Sequence, residues 1–188
     1  MQTLNIMITE NDHVQGNDTA ALTLIEYGDY ECPYCGRAYP MVKSMQQIFG
    51  ETLRFVFRNF PWSKIHPHAF LAAVATEAAG LQNKFWEMHD IIFENQRNLT
   101  ENTLKEFAKQ IGLATDMFQA DIKRPELSRK VHSDFESGIR LAVNRTPTFF
   151  LNGKRYEGHL HEDQLQSFLQ EELSELIKDN NTEPAISH

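Results

Sequence analysis

The order of hydrophobic and polar positions predicts a strand, a helix and a second strand in the first third of the chain. Residues 21–27 form an apolar run with few charges, which is typical of a central strand buried on both faces. From Pro33 to about Phe49, apolar residues recur at helical spacing, and Gly50 follows as a stop signal. Apolar and other side chains alternate again over residues 52–60. A β-α-β order of this kind predicts parallel strands joined by a crossover helix.

Helical spacing replaces the strand pattern between residues 63 and 143. Several amphipathic or alanine-rich segments follow one another there, and capping residues or glycines separate them. These helices are predicted to begin near His66, Asn83, Thr100, Thr115 and Pro125. Sheet returns in residues 148–156, where Asn152-Gly153 is a strong turn signal for a β-hairpin. A final amphipathic helix is predicted from about His161 to Ile177.

Together these elements predict an α/β domain in three layers, with a central mixed sheet flanked by helices and an all-helical subdomain inserted into it. The core is expected to be discontinuous, over residues 1–62 and 144–178, and the helical insertion covers residues 63–143. Alternating side chains in residues 4–8 indicate one more short, half-buried strand. Residues 179–188 are expected to form a flexible tail.

The charge and hydropathy of the chain argue against two classes of function. The chain carries 26 acidic against 18 basic residues, whereas a nucleic-acid-binding surface must be basic. No apolar run approaches the roughly 18 residues that a membrane-spanning helix needs. Residues 1–10 lack both the basic and the apolar region of a signal peptide. We therefore predict a cytoplasmic protein, or a periplasmic one if a leader has been removed.

Cys32 and Cys35 are the only cysteines of the chain, and they form a C-x-x-C pair at the start of the first predicted helix. The loop that such a pair closes is too small to stabilise a fold appreciably, so the pair serves reactivity or metal binding. At a helix N-terminus, unpaired backbone N–H groups and the helix dipole favour a thiolate. Cys32 is therefore predicted to be the nucleophile, and Cys35, one turn inside the helix, the resolving partner.

A zinc site is the other interpretation of a C-x-x-C pair, and it would need two further ligands. The chain has no second C-x-x-C, and the only candidate ligands are two H-x-H pairs, His66 with His68 and His159 with His161. Such pairs are more often solvent-facing or capping histidines, so we predict no metal. No other cofactor is expected, because the cysteine pair itself carries two electrons.

Three sequence features together resemble the thioredoxin superfamily. They are Cys32-Pro33-Tyr34-Cys35 after a buried strand, a proline five residues beyond the second cysteine, and Thr146-Pro147-Thr148-Phe149-Phe150 before the hairpin. With the helical block between the two halves, the chain is similar specifically to the DsbA-like thiol–disulfide oxidoreductases. The resemblance covers residues 20–178 and implies a thioredoxin-like fold with an inserted helical subdomain.

The resemblance also implies roles for residues beyond the two cysteines. Pro147 matches the family's cis-proline, which lies against the active-site disulfide, and the backbone of Thr146 would pair with an extended substrate chain. Glu26 matches the buried acid that moves protons to and from the inner thiol. Pro33 and Tyr34 would support the active site. The best-known oxidases of the family have a histidine where Tyr34 stands, so we expect a smaller fall in the thiol pKa and a less oxidising disulfide.

The predicted function is enzymatic, that of a thiol–disulfide oxidoreductase acting on protein or small-molecule thiols and disulfides. Proteins or peptides are the expected substrates, with glutathione or a thioredoxin-type protein as a further redox partner. One alternative is a glutathione-dependent transferase or isomerase of the kappa-like class, whose members typically have a serine and lack the second cysteine. The other is a non-catalytic thioredoxin-like module that holds peptides in a groove beside Pro147.

Overall fold

The computed structural model describes residues 3–182, with side chains described as far as residue 179. Within this range the chain forms five strands and seven α-helices. The strands are β1 His13–Gln15, β2 Leu22–Gly28, β3 Leu53–Asn59, β4 Thr148–Leu151 and β5 Lys154–Arg155. The helices are α1 Pro33–Phe49, α2 Ala69–Gly80, α3 Phe85–Glu94, α4 Glu101–Gln110, α5 Thr115–Asp121, α6 Pro125–Arg140 and α7 Glu162–Thr182. This mixed α/β arrangement confirms the predicted fold class.

The strands form one mixed sheet in the order β1-β3-β2-β4-β5. Strands β4 and β5 pair antiparallel, with Phe150 opposite Arg155. Between them Asn152 and Gly153 have φ values of +48° and +81°. Positive φ at both central residues is what the tightest hairpin turns require, and asparagine followed by glycine tolerates it best. The predicted hairpin is therefore confirmed.

Two compact units divide the chain, and neither is continuous in sequence. The first comprises the chain up to Glu26, Met41–Val56 and the chain from Phe149 onward. The second comprises Tyr27–Pro40 and Phe57–Thr148, so it contains α2 to α6 and both cysteines. The discontinuous core and the insertion of residues 63–143 stay a prediction.

An aromatic cluster in the second unit anchors the segment that precedes the cysteines. Tyr30 is 1% exposed, and its ring centroid lies 5.1 Å from that of Phe57 and 4.9 Å from that of Phe93. The Tyr30 hydroxyl lies 3.0 Å from Nδ1 of His89, so its polar end has a partner inside the core. Because Tyr30 stands two residues before Cys32, this cluster holds the base of the cysteine-bearing loop in place.

A polar cluster of four residues, of which all but the lysine are buried, lies in the same unit. Lys130 on α6 places its Nζ 2.8 Å from both carboxylate oxygens of Asp134 and 3.7 Å from Oε1 of Glu77 on α2. Asn59, at the end of β3, donates its side-chain amide to Glu77 at 2.8 Å and its backbone N–H to Asp134 at 3.1 Å. Burial raises the pKa of Asp134, and the lysine charge opposes that rise. The cluster therefore depends on Lys130 to compensate two buried carboxylates.

The structure differs from the predicted elements mainly near the chain ends. Residues 3–9 form no strand, because the backbone N–H of Leu4 donates one isolated hydrogen bond to the Gly153 carbonyl at 2.9 Å and no ladder follows. The first strand is β1, His13–Gln15, which the sequence pattern did not predict. Helix α7 continues to Thr182, and the rest of the predicted flexible tail, residues 183–188, lies outside the described residues.

None of the helices within residues 3–182 combines the length and the apolar composition that crossing a membrane requires.

Candidate active site

The two cysteines stand at the first turn of α1, which begins directly after Cys32. The Cys32 N–H donates to the Asp29 carbonyl at 3.1 Å, and the Cys32 carbonyl accepts from the Gly36 N–H at 3.1 Å. Pro33 occupies the first helical position, where its missing N–H leaves no helical hydrogen bond unmade. The local sequence thus places the Cys32 sulfur at the N-terminal end of the helix, as predicted.

The surroundings of Cys32 favour its thiolate. A hydrogen bond from the Cys35 thiol is the largest cause that lowers the Cys32 pKa, which falls from 9.0 to about 5. Burial acts in the opposite direction, while Thr146 and the backbone N–H groups of Cys35 and Tyr34 lower the pKa further. The two backbone N–H groups are unpaired donors of a helix N-terminus, and they stabilise a negative charge there. At neutral pH these interactions favour the thiolate of Cys32 over its thiol.

Cys35 is fully buried, whereas 4% of Cys32 is exposed. The backbone N–H of Asp29 donates to the Cys35 sulfur at 3.4 Å. Both cysteines are free thiols in this structure. Of the two sulfurs, only that of Cys32 belongs to a residue with any accessible surface, and this supports its assignment as the attacking group.

The Thr146–Pro147 segment lies against the cysteine pair. The Cys32 sulfur is 3.5 Å from the Thr146 carbonyl oxygen, to which a protonated thiol donates. The Thr146–Pro147 peptide bond is cis, the geometry that the resemblance implies. Residues more than a hundred positions apart in sequence therefore meet at the Cys32 sulfur.

Glu26 and Tyr34 have very different surroundings. Glu26 is 3% exposed on β2 and belongs to the first compact unit, whereas the other six predicted site residues belong to the second. Its part in proton transfer stays a prediction. Tyr34 is 55% exposed, and the Arg37 guanidinium lies 4.3 Å from its ring centroid. A cation thus stands beside the position at which the best-known oxidases have a histidine, and the sequence reasoning overlooked it.

Two histidine–carboxylate pairs hold the loop before Cys32, and the sequence reasoning missed both carboxylates. Asp29 is 1% exposed, and its Oδ2 lies 2.8 Å from Nδ1 of His66 and accepts the Trp62 N–H at 2.7 Å. Glu31 pairs through Oε1 with Nδ1 of His68 at 2.9 Å. The spacing of the H-x-H pair was visible in the sequence, but its partners were not. Among the described residues, no group of three His, Cys, Asp or Glu side chains is placed to hold a metal ion.

Gln96 is a further residue of the site that sequence reasoning missed. It lies in the loop between α3 and α4 and donates its side-chain amide to the carbonyls of Tyr30 at 2.9 Å and Cys32 at 3.0 Å. A glutamine in a polar loop carries no sequence signal of such a role. Only the tertiary structure brings it to the cysteines.

Comparison with known proteins agrees with this geometry. A family model described as Thioredoxin matches residues 8–171. The chain belongs to the thioredoxin family. A crystal structure of a thioredoxin-like oxidoreductase from Silicibacter pomeroyi DSS-3 superposes with a TM-score of 0.78 at 28% identity, covering 87% of this chain and 92% of that one.

Two further solved structures show the same fold at lower identity. Oxidised BdbD from Bacillus subtilis has a TM-score of 0.79 at 24% identity and covers 88% of this chain and 94% of its own. Alpha-DsbA1 from Wolbachia pipientis has a TM-score of 0.81 at 19% identity, with coverages of 93% and 96%. Together with the family match, these similarities confirm the thioredoxin-like fold that the resemblance implied.

Relatives found by sequence are much longer proteins. The Na⁺/H⁺ antiporter NhaA 1 of Mycobacterium sp. (strain KMS) is 40% identical over 151 residues, which make up 79% of this chain and 25% of that protein. The Na⁺/H⁺ antiporter NhaA of Herminiimonas arsenicoxydans is 39% identical over 149 residues, or 79% and 24%. The chain thus spans about a quarter of the length of the relatives it matches.

These relatives correct the predicted location. Residues 1–10 led to the expectation of a cytoplasmic protein, but relatives with about 40% identity are named as antiporters, which are membrane proteins. The expectation was wrong because it rested on ten residues. Where this fold is a quarter of a longer protein, a segment that sets the compartment can lie outside the matched region.

Proposed function

We propose that the chain exchanges disulfides with protein or small-molecule thiols through Cys32 and Cys35, with Cys32 as nucleophile and Cys35 as resolving group. The observation that carries the proposal is the position of Cys32 at the N-terminal end of α1, beside the buried Cys35 and 3.5 Å from the Thr146 carbonyl oxygen, where its surroundings lower its pKa to about 5. A thiolate is the reactive species in thiol–disulfide exchange, and a neighbouring thiol is needed to release a mixed disulfide. Ion transport is not part of the proposal, because the matched segment is a quarter of each antiporter.

In the oxidising direction, the reaction starts from a Cys32–Cys35 disulfide. A substrate thiolate attacks the Cys32 sulfur, a substrate–Cys32 disulfide forms, and the electron pair of the broken bond goes to Cys35, which takes up a proton. A second substrate thiolate then attacks the substrate sulfur of the mixed disulfide and releases Cys32 as a thiolate. The substrate dithiol has lost two electrons and two protons. The cysteine pair has gained both electrons and one proton, on Cys35, and the other proton goes to solvent. The reverse sequence reduces a substrate disulfide.

Neighbouring residues support these steps in the proposal. The Asp29 N–H, 3.4 Å from the Cys35 sulfur, stabilises the charge that develops there when the disulfide opens. The backbone of Thr146 pairs with an extended substrate chain beside Pro147, and Glu26 moves the proton of the inner thiol. Burial of Glu26, at 3% exposure, is compatible with that role.

The Cys32 pKa also bears on the direction of electron flow. A stabilised thiolate favours the reduced pair, and this makes the disulfide more oxidising. The value of about 5 lies between the thiol pKa of about 3.5 in DsbA and about 7 in thioredoxin. We therefore expect a reduction potential between about −120 mV and about −270 mV, measured by equilibration with glutathione buffers.

The pH profile of Cys32 alkylation tests the proposal directly. The rate at which iodoacetamide modifies Cys32 in the reduced protein should rise through a midpoint of about pH 5 and stay level around neutrality, because only the thiolate reacts. Peptide mapping by mass spectrometry identifies the modified cysteine.

The matched control is Cys35→Ala. Because the Cys35 thiol is the largest cause of the low pKa, the midpoint of this variant should move to higher pH. A wild-type midpoint near the ordinary cysteine value of about 8.5 would contradict the proposal.

A further inference from the structure

The side chain of Gln96, in the loop between α3 and α4, forms a hydrogen bond with the reactive cysteine. We propose that Gln96 is a positioning residue for thiol exchange, which holds the backbone of Tyr30 and Cys32 so that the Cys32 sulfur keeps its place at the start of α1. The proposal rests on the proposed function, since it names a residue that sets the reactivity of the same thiol.

Two hydrogen bonds connect the Gln96 side chain to the backbone of Tyr30 and Cys32. The side-chain nitrogen of Gln96 donates to two carbonyls two residues apart, at 2.9 Å to Tyr30 and 3.0 Å to Cys32. The Cys32 carbonyl also accepts from the Gly36 N–H at 3.1 Å, so two donors fix the orientation of its peptide plane. The Cα–Cβ bond that carries the Cys32 sulfur belongs to the same residue, so holding this plane also holds the direction of that bond.

The hydrogen bond from Gln96 also changes the electrostatic surroundings of the Cys32 thiolate. A carbonyl oxygen carries a partial negative charge, and one that belongs to the thiolate residue itself opposes the thiolate. An N–H donor on that oxygen offsets part of its charge, and it does so most effectively where water is scarce. Gln96 is half-buried, so its contribution is not simply replaced by solvent.

Helix α1 leaves space for the Gln96 side chain at Gly36. Gly36 follows Cys35 directly, and a Cβ atom at this position would overlap Oε1 of Gln96. Any other residue at position 36 would push the glutamine side chain away from the Cys32 carbonyl. The glycine beside the cysteine pair and the glutamine in the distant loop therefore form one arrangement.

The experiment compares Gln96→Met, which keeps the side-chain volume and loses both donors, with the wild-type protein. The ultraviolet absorbance of the thiolate gives the Cys32 titration, and equilibration with glutathione gives the redox equilibrium constant. We expect the pKa to rise and the equilibrium constant for oxidising glutathione to fall about three- to tenfold, since one pKa unit is a tenfold change. The equilibrium constant falls because a less stable thiolate makes the reduced cysteine pair less favourable.

Gln110→Met is the matched control, because Gln110 is an exposed glutamine at the end of α4. It should leave both quantities unchanged. Chemical unfolding of each variant separates an effect on reactivity from an effect on stability.

A second pair of variants tests the contact with Gly36. Gly36→Ala should lower the equilibrium constant in the wild-type background, because it displaces Gln96. In a Gln96→Ala background the same change should have little further effect, because the overlapping atom is gone. Equal effects of Gly36→Ala in both backgrounds would overturn the proposed arrangement.

The outcomes distinguish this inference from the proposed function. A low wild-type pKa that Gln96→Met leaves unchanged would overturn the positioning role and leave the exchange reaction standing. A wild-type Cys32 that titrates like an ordinary cysteine would overturn the exchange reaction itself.

Discussion

Replacing Cys32 with serine is expected to reduce thiol–disulfide exchange to the uncatalysed background. A serine hydroxyl is not ionised near neutral pH without a strong general base, and it cannot form the disulfide that stores two electrons. The low pKa of Cys32, about 5, makes this sulfur the reactive one of the two. The measurement is the oxidation of a reduced dithiol peptide in the presence of glutathione disulfide, followed by chromatography.

Cys35→Ser is the matched variant, and it should fail at a different step. Cys32 still forms a mixed disulfide with the substrate, but no neighbouring thiol is left to release it, so the covalent complex should accumulate. Intact-mass spectrometry of the quenched reaction detects the complex. Near-normal exchange by the Cys32→Ser variant, or no covalent complex with Cys35→Ser, would contradict the assigned roles.

Replacing Lys130 with methionine is expected to destabilise the fold by about 3 kcal/mol, which is typical of breaking a buried ion pair. The lysine lies 2.8 Å from both oxygens of Asp134, which is 6% exposed, and 3.7 Å from Glu77, which is 5% exposed. Methionine fills similar space without the charge, so both carboxylates lose their contact with the Lys130 ammonium group. Urea unfolding of the reduced protein measures the free energy of unfolding.

The stability that the Lys130→Met variant loses should increase with pH. Burial already raises the pKa of Asp134 in the folded state, so the folded protein binds a proton more readily than the unfolded chain does. Without Lys130 this pKa rises further, and the destabilisation should grow as the pH rises from acidic to neutral values. It should be smallest where Asp134 is protonated.

Lys84→Met is the control for this prediction. Lys84 pairs with Glu87 at 2.8 Å, but both side chains are about 40% exposed or more, and an exposed pair contributes about 1 kcal/mol at most. A similar small loss for Lys130→Met would show that the buried cluster does not depend on its lysine.

The sequence by itself determined the features that depend on neighbouring residues. Helical spacing, capping residues and glycines indicated the helical block, and asparagine followed by glycine predicted the hairpin turn. The place of Cys32 at the start of α1 followed from Pro33 and from the strand before it. Local backbone preferences and short-range periodicity decide these features, so a single sequence carries them.

Local patterns were misleading in the N-terminal residues of the chain. The alternation in residues 4–8 satisfies the pattern of a strand, but a strand needs a partner that offers several hydrogen bonds in register. The described structure gives Leu4 one such bond, to Gly153, and no strand forms there. Alternation describes which faces of a segment are apolar, and it contains no information on the partner.

Only the tertiary structure decided what surrounds the two sulfurs. Thr146 reaches Cys32 across more than a hundred residues, and Gln96 and His66 reach the same loop from other parts of the second unit. A glutamine, a histidine or a threonine looks the same in the sequence whether it faces solvent or a reactive thiol. The low pKa of Cys32 arises mainly from donors in the first turn of α1, above all the Cys35 thiol, and these the sequence could indicate. The contribution of Thr146 exists only once the chain is folded.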